Sequence, residues 1–226
     1  MLRDIAADPN AIGLLSSTEA RETKILTLSD DGTEALYPSV FTIKTEEYLF
    51  TRRLYLASLA NNSNPYIRQF IDFCLADEHG QKIVTQTGFV NLNLHNTSTR
   101  TVSQDAPPQY LAATSGAKRL PTTLHFQSGN SMPDERATDD IKRIINVLVE
   151  SENQRKTVIV IGFTDNTGSM SQNQGLSVSR AEHIQTEFQK YGIKSEVYGF
   201  GNALPIAANT SVLGQNKNRR VEVWLK

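Results

Sequence analysis

From Pro121 onward the chain alternates between two apolar spacings, and that alternation constrains the fold more than any other feature. Thr122-Thr123-Leu124-His125-Phe126 alternates as a strand does, and Gln127-Ser128-Gly129-Asn130 reads as a turn. A helix is expected from about Pro133, with Asp134 and Glu135 at its positive dipole end. Ile141, Ile144, Ile145, Leu148 and Val149 recur along it at helical spacing. The run Thr157-Val158-Ile159-Val160-Ile161-Gly162 fits a central strand, and a second helix is expected from about Asn173 to Tyr191, stopped by Gly192. Lys194–Tyr198 and Arg219–Leu225 read as the last two strands, the latter with Val221, Val223 and Leu225 on one face. Strand, helix, strand, helix, strand implies an α/β (α+β) sandwich in which helices cover one mixed sheet.

The preceding residues are less regular. Ala11–Leu15, Lys24–Leu28 and Arg53–Ala57 are short strand-like runs. Asn64 can cap a helix that starts at Pro65, along which Ile67, Phe70, Ile71 and Cys74 follow helical spacing. A further helix is expected over about Asp77–Gln86, ending at Gly88. Residues 96–120, rich in Thr, Ser, Ala, Gln and Pro, read as a linker between a first region, 1–95, and a second, 121–226.

Charge excludes one function class. The 226 residues hold 23 Lys and Arg against 24 Asp and Glu, spread evenly over both halves. A nucleic-acid partner is therefore not expected, since phosphate contacts need a basic field. The one cysteine, Cys74, cannot form an internal disulfide and reads as a small buried hydrophobe. No apolar run approaches the roughly 20 residues of a membrane helix, and Met1–Ile5 lacks an apolar signal core. His79, His95, His125 and His183 are scattered, with no metal-ligand spacing and no nucleophile elbow, so neither a metal, a cofactor nor an enzyme activity is expected.

Four blocks of the second region carry a resemblance. Gly162-Phe163-Thr164-Asp165-Asn166-Thr167-Gly168 is similar to G-H-T-D-x-x-G, and Asn173 to Ala181 is similar to N-x-x-L-S-x-x-R-A. Gly199 to Ala207 is similar to G-x-G-x-x-x-P-I-A, and Asn218-Arg219-Arg220-Val221-Glu222 to N-R-R-V-E. In this order and spacing they resemble the OmpA C-terminal domain family. The resemblance implies non-covalent binding of peptidoglycan through the free amino-acid head of diaminopimelate, in the periplasm or at the outer membrane. Such a head, an ammonium beside a carboxylate, calls for an anionic acceptor and a planar two-pronged donor close together. By match to the motif these are Asp165 and Arg180, with Thr164 and Asn173 as polar contacts and Arg219 lining the pocket from the closing strand. A plain ion pair between Asp165 and Arg180, bracing the loop, is the alternative reading. Phe163 and Gln127 depart from the family pattern, which has a histidine and often an acid at those positions.

Residues 1–95 resemble the last part of a phosphate-type (PstS-like) periplasmic substrate-binding protein, through stretches such as Arg53–Leu56, Asn64–Phe73 and Gly80–Val84. That resemblance implies a partial α/β lobe, which would need a missing lobe or a partner protein to cover its edges. It also implies an alternative function, small-anion or phosphate binding in transport or sensing with the second region as anchor. It supplies no ligand residue. A flagellar stator role would need an acidic membrane helix near the start, and none is read.

Overall fold

The computed structural model describes residues 2–16, 18–20, 23–76, 79–95, 106–150 and 152–226. The first region holds α1 (Leu2–Ala7), α2 (Val40–Lys44), α3 (Pro65–Leu75) and α4 (Gly80–Gln86). α3 starts as its sequence requires: the Asn64 side chain accepts from the Tyr66 amide and Pro65 occupies the first turn. The expected strands at 11–15, 24–28 and 53–57 do not form; among the described residues before 95 the only β pairing is an isolated Leu28–Leu36 bridge. A five-residue β run gains stability mainly from a paired sheet with a covered face, and these runs join no sheet. The partial substrate-binding lobe expected here is thus replaced by short helices and irregular chain.

The second region builds the sheet. α5 (Pro108–Thr114) and β1 (Lys118–Arg119) lead into β2 (Leu124–His125), α6 (Glu135–Leu148), β3 (Val158–Gly162), α7 (Met170–Gln189), β4 (Ser195–Gly199), α8 (Val212–Asn218) and β5 (Arg220–Leu225). β5 lies between β3, its antiparallel neighbour, and the short β1 and β2, which pair along its other edge; β4 runs parallel to β3. The expected strands and long helices are all present. The expected linker over 96–120 is not a linker where it is described: Ala106, Tyr110, Ala113, Ala117 and Leu120 are buried and β1 joins the sheet. Residues 96–105 lie outside the described residues.

The same segment covers the second face of the sheet. β3 is buried at every position, which requires cover on both faces. Val158, Val160, Val221, Val223 and Leu225 pack under α6 and α7. Ile159, Ile161 and Trp224 face the other way, where Tyr110 of α5, Phe163 and Ala117 cover them. Helices therefore flank both faces of the sheet. No helix among the described residues is long and apolar enough to cross a membrane.

Candidate functional site

The site grows out of strand register. β3 and β5 pair so that Gly162 lies opposite Val221, and the Phe163 amide donates to the Arg220 carbonyl at 2.8 Å. Continued antiparallel pairing brings Thr164 opposite Arg219 and leaves Asp165 beside it. On the other edge, His125 pairs with Arg220 and the Phe126 amide donates to the Arg219 carbonyl at 3.1 Å. The loops leaving β2 and β3 thus flank one end of β5. α7 can lie close over them because Gly162 and Gly199, partners in β3 and β4, present no side chain. A Cβ on Gly162 would sit 2.0 Å from the Ser177 carbonyl oxygen.

Within this frame Asp165 is a local organiser. Its Oδ1 accepts from the Thr167 amide at 2.9 Å, and its Oδ2 accepts from Arg219 Nη1 at 2.6 Å. Burial pushes the carboxyl up, but the Arg219 and Thr167 hydrogen bonds outweigh it and hold Asp165 below the usual aspartate value. Arg219 also donates from Nε to the Phe126 carbonyl at 3.2 Å and from Nη2 to Asn216 Oδ1. Alternation along β5 left open which of Arg219 and Arg220 points inward. Arg219 does; Arg220 crosses to the opposite face and stacks over the Phe163 ring at 3.9 Å.

Arg180 lies in the third turn of α7, because the helix begins at Met170 and not at Asn173. The earlier start follows from Ser169, whose hydroxyl accepts from the Gln172 amide in a capping box. Arg180 is 0% exposed. Its Nη1 donates to the Phe163 carbonyl at 2.9 Å, its Nε to Asn130 at 3.0 Å and its Nη2 to Gln127 at 3.1 Å. One guanidinium plane therefore joins the two loops. Among the described residues no carboxylate lies within ion-pair distance of it. Burial, then repulsion from Arg219, lowers its pKa to about 10, with only Asp165 acting against them. The bracing pair expected as the alternative is made by Asp165 with Arg219, not with Arg180.

Thr164 and Asn173 complete the cluster. Thr164 Oγ1 is buried without a hydrogen-bond partner among the described residues, an arrangement that costs free energy in a folded protein. Asn173, in the first turn of α7, is buried against the loop; a Cβ at Gly168 would lie 4.0 Å from its Oδ1. All five residues named from sequence thus converge at one end of the sheet. They are enclosed: Asp165 is only 5% exposed and the turn at Gln127 and Asn130 covers Arg180.

The arrangement pairs a fixed anion with a buried guanidinium that has spare N–H donors. Five N–H bonds are available and three contacts are made. Residues 125–219 match the family model described as OmpA family.

Residues 125–219 form an OmpA family domain.

Relatives of this domain span varied proteins. The sodium-type flagellar protein MotY of Vibrio parahaemolyticus is 33% identical over 109 residues, 46% of this chain and 36% of MotY. The peptidoglycan-binding protein ArfA of Mycobacterium tuberculosis is 39% identical over 69 residues, 29% of this chain and 21% of ArfA. The chain thus spans about a third or less of these two relatives. A solved structure, the peptidoglycan-associated lipoprotein from Burkholderia pseudomallei, aligns with a TM-score of 0.43 at 18% identity, covering 46% of this chain and 89% of that one.

Sequence reasoning missed the staple of the OmpA domain. Asn218, 0% exposed, accepts from the Ile206 and Ala207 amides and donates to the Ala207 carbonyl and Asn209 Oδ1. Asn209 Oδ1 in turn accepts from the Asn166 amide at 3.3 Å. The P-I-A and N-R-R motifs held the signal, since a buried Asn beside a Pro-containing turn commonly satisfies loop amides. Among the described residues His95, Glu150 and Glu152 bring ligand atoms within 4.8 Å of one another, but they are at the surface and apart from this cluster.

Proposed function

We propose that the OmpA domain binds peptidoglycan without cleaving it, gripping the free amino-acid head of diaminopimelate and so tethering an envelope protein to the wall in the periplasm. One observation carries this reading. Arg180 is a fully buried cation held flat by three carbonyls, with no carboxylate in reach among the described residues. A buried charge without a counter-ion is expensive, and a ligand carboxylate in two-pronged contact would offset that cost. Asp165, kept ionised by Arg219 and Thr167, supplies the acceptor for the ammonium. Thr164 Oγ1 supplies a polar contact that the fold itself does not use. The relatives agree in kind, since ArfA is named for binding peptidoglycan.

The test is co-sedimentation of the full chain with purified sacculi. Arg180→Lys keeps the charge but loses the planar fork. It should weaken retention roughly a hundredfold, about 2–3 kcal/mol, with the circular dichroism of the wild type. Retention of Arg180→Lys at wild-type level would remove the site.

A further inference from the structure

The sheet of the second region buries more charge than its own strands balance. On the sheet face opposite α6 and α7, Arg119 and Arg220 are both buried beside Glu222. Glu222 accepts from Arg220 Nε at 3.0 Å, from Tyr110 Oη at 3.0 Å and from Trp224 Nε1 at 3.2 Å, and lies 3.3 Å from Arg119 Nη1. Two guanidiniums thus share one carboxylate from the sheet. The second carboxylate comes from far along the chain: Glu47, 1% exposed, accepts from Arg119 Nη1.

Residues 39–53 carry Glu47 in. α2 is capped by Ser39, and the Glu47 and Tyr48 amides donate back to the Thr42 carbonyl at 3.0 and 3.1 Å. Glu46, at a φ of 59°, occupies the left-handed position that usually takes glycine at a helix end. That strained turn sends adjacent side chains to different targets. Glu46 meets Arg53 and lies 3.7 Å from His125 Nε2, while Glu47 enters the Arg119 pocket. Arg53 continues to Asp140 at 3.1 Å, and the Tyr48 carbonyl accepts from Lys217 Nζ at 3.3 Å. No apolar side chain of residues 39–53 belongs to either buried hydrophobic cluster. Phe41 reaches the domain only as a ring 5.6 Å from the Arg119 guanidinium.

We propose that residues 39–53 form a strap latched by charge, which docks on the OmpA domain through Glu47 in the Arg119 pocket and opens as a unit while the domain stays folded. Ion pairs hold it, and the five-residue α2 cannot persist undocked. Opening bares Arg119 and releases Lys217 and His125. These two flank Asn216, which carries the hydrogen bond to Arg219. The strap therefore borders the site described above without belonging to it, and the inference holds whatever that site binds.

Hydrogen exchange of the full chain, read by mass spectrometry, tests this. Glu47→Gln keeps the shape and removes the charge, leaving Arg119 to share Glu222 with Arg220. Exchange in peptides spanning 39–53 should rise roughly a hundredfold, as expected when one partner of a buried ion pair is lost, with β3 and β5 as protected as in the wild type. If Glu47→Gln does not fold, Arg53→Gln severs only the outer contact and should speed the same peptides about threefold. Unchanged exchange in 39–53 overturns the strap. So does an equal rise across β3 and β5, which would make Glu47 an ordinary part of one cooperative core.

Discussion

The two regions contain similar apolar residues and use them differently. In α3 the aromatic side chains remain at the surface, Tyr66 at 74% exposure and Phe70 at 59%, and no residue of the helix is buried. In the OmpA domain, β3 and β5 are buried along their whole length. Helical periodicity is present in both α3 and α6, though stronger in α6, so the helices alone do not explain the difference. It lies in the sheet. α6 lays Ile141, Ile144, Ile145 and Leu148 on Val158, Val160, Val221 and Val223, while α3 has α4 and the irregular segment 56–62 beside it and no sheet. An amphipathic face is stabilised by what covers it, not by its own pattern.

Paired substitutions sharpen this contrast most. Leu124→Ala, at a position with no exposure, should lower unfolding stability by about 3 kcal/mol in chemical denaturation. Phe70→Ser, although it removes a larger side chain, should change it by less than about 0.5 kcal/mol. A large loss from Phe70→Ser would mean that α3 is covered after all.

The next effect separates the site from the core around it. Asp165 is held below its ordinary value, so its contribution to stability is complete above the usual aspartate pKa near 3.8 and is lost as pH falls through the lowered value. The wild type should therefore show an acid-side drop in melting temperature that Asp165→Asn lacks, measured against pH by calorimetry. Parallel curves would show that Arg219 does not stabilise the carboxylate.

The smallest effect has opposite signs for folding and binding. Thr164→Val removes a buried hydroxyl that has no partner among the described residues, so stability should hold or rise by up to about 1 kcal/mol. Retention on sacculi should fall. A variant that loses stability would show that the hydroxyl already serves the fold.

Much of the site was legible because its residues lie in short, ordered motifs. Asp165, Arg180, Thr164, Asn173 and Arg219 were each named from the chain and meet at one sheet end. Their partners were not legible. Nothing local says that Asp165 takes Arg219 and leaves Arg180 to three carbonyls; register between β3 and β5 decides that. The segment around Tyr110 read as a linker because Thr, Ser and Pro dilute it, yet a few well-spaced residues cover the second face of the sheet.

The sequence by itself determined the main strands and the two long helices of the second region, the Asn64 cap and the set of polar residues that meet at one sheet end. These depend on spacing over a turn or a strand, which neighbours along the chain encode. Only the tertiary structure decided that the sheet is covered on both faces, that Arg180 is enclosed, and that Glu47 balances Arg119 across 72 positions. Burial and charge pairing depend on distances through space, and residues far apart in sequence carry no local mark of the partner they will meet.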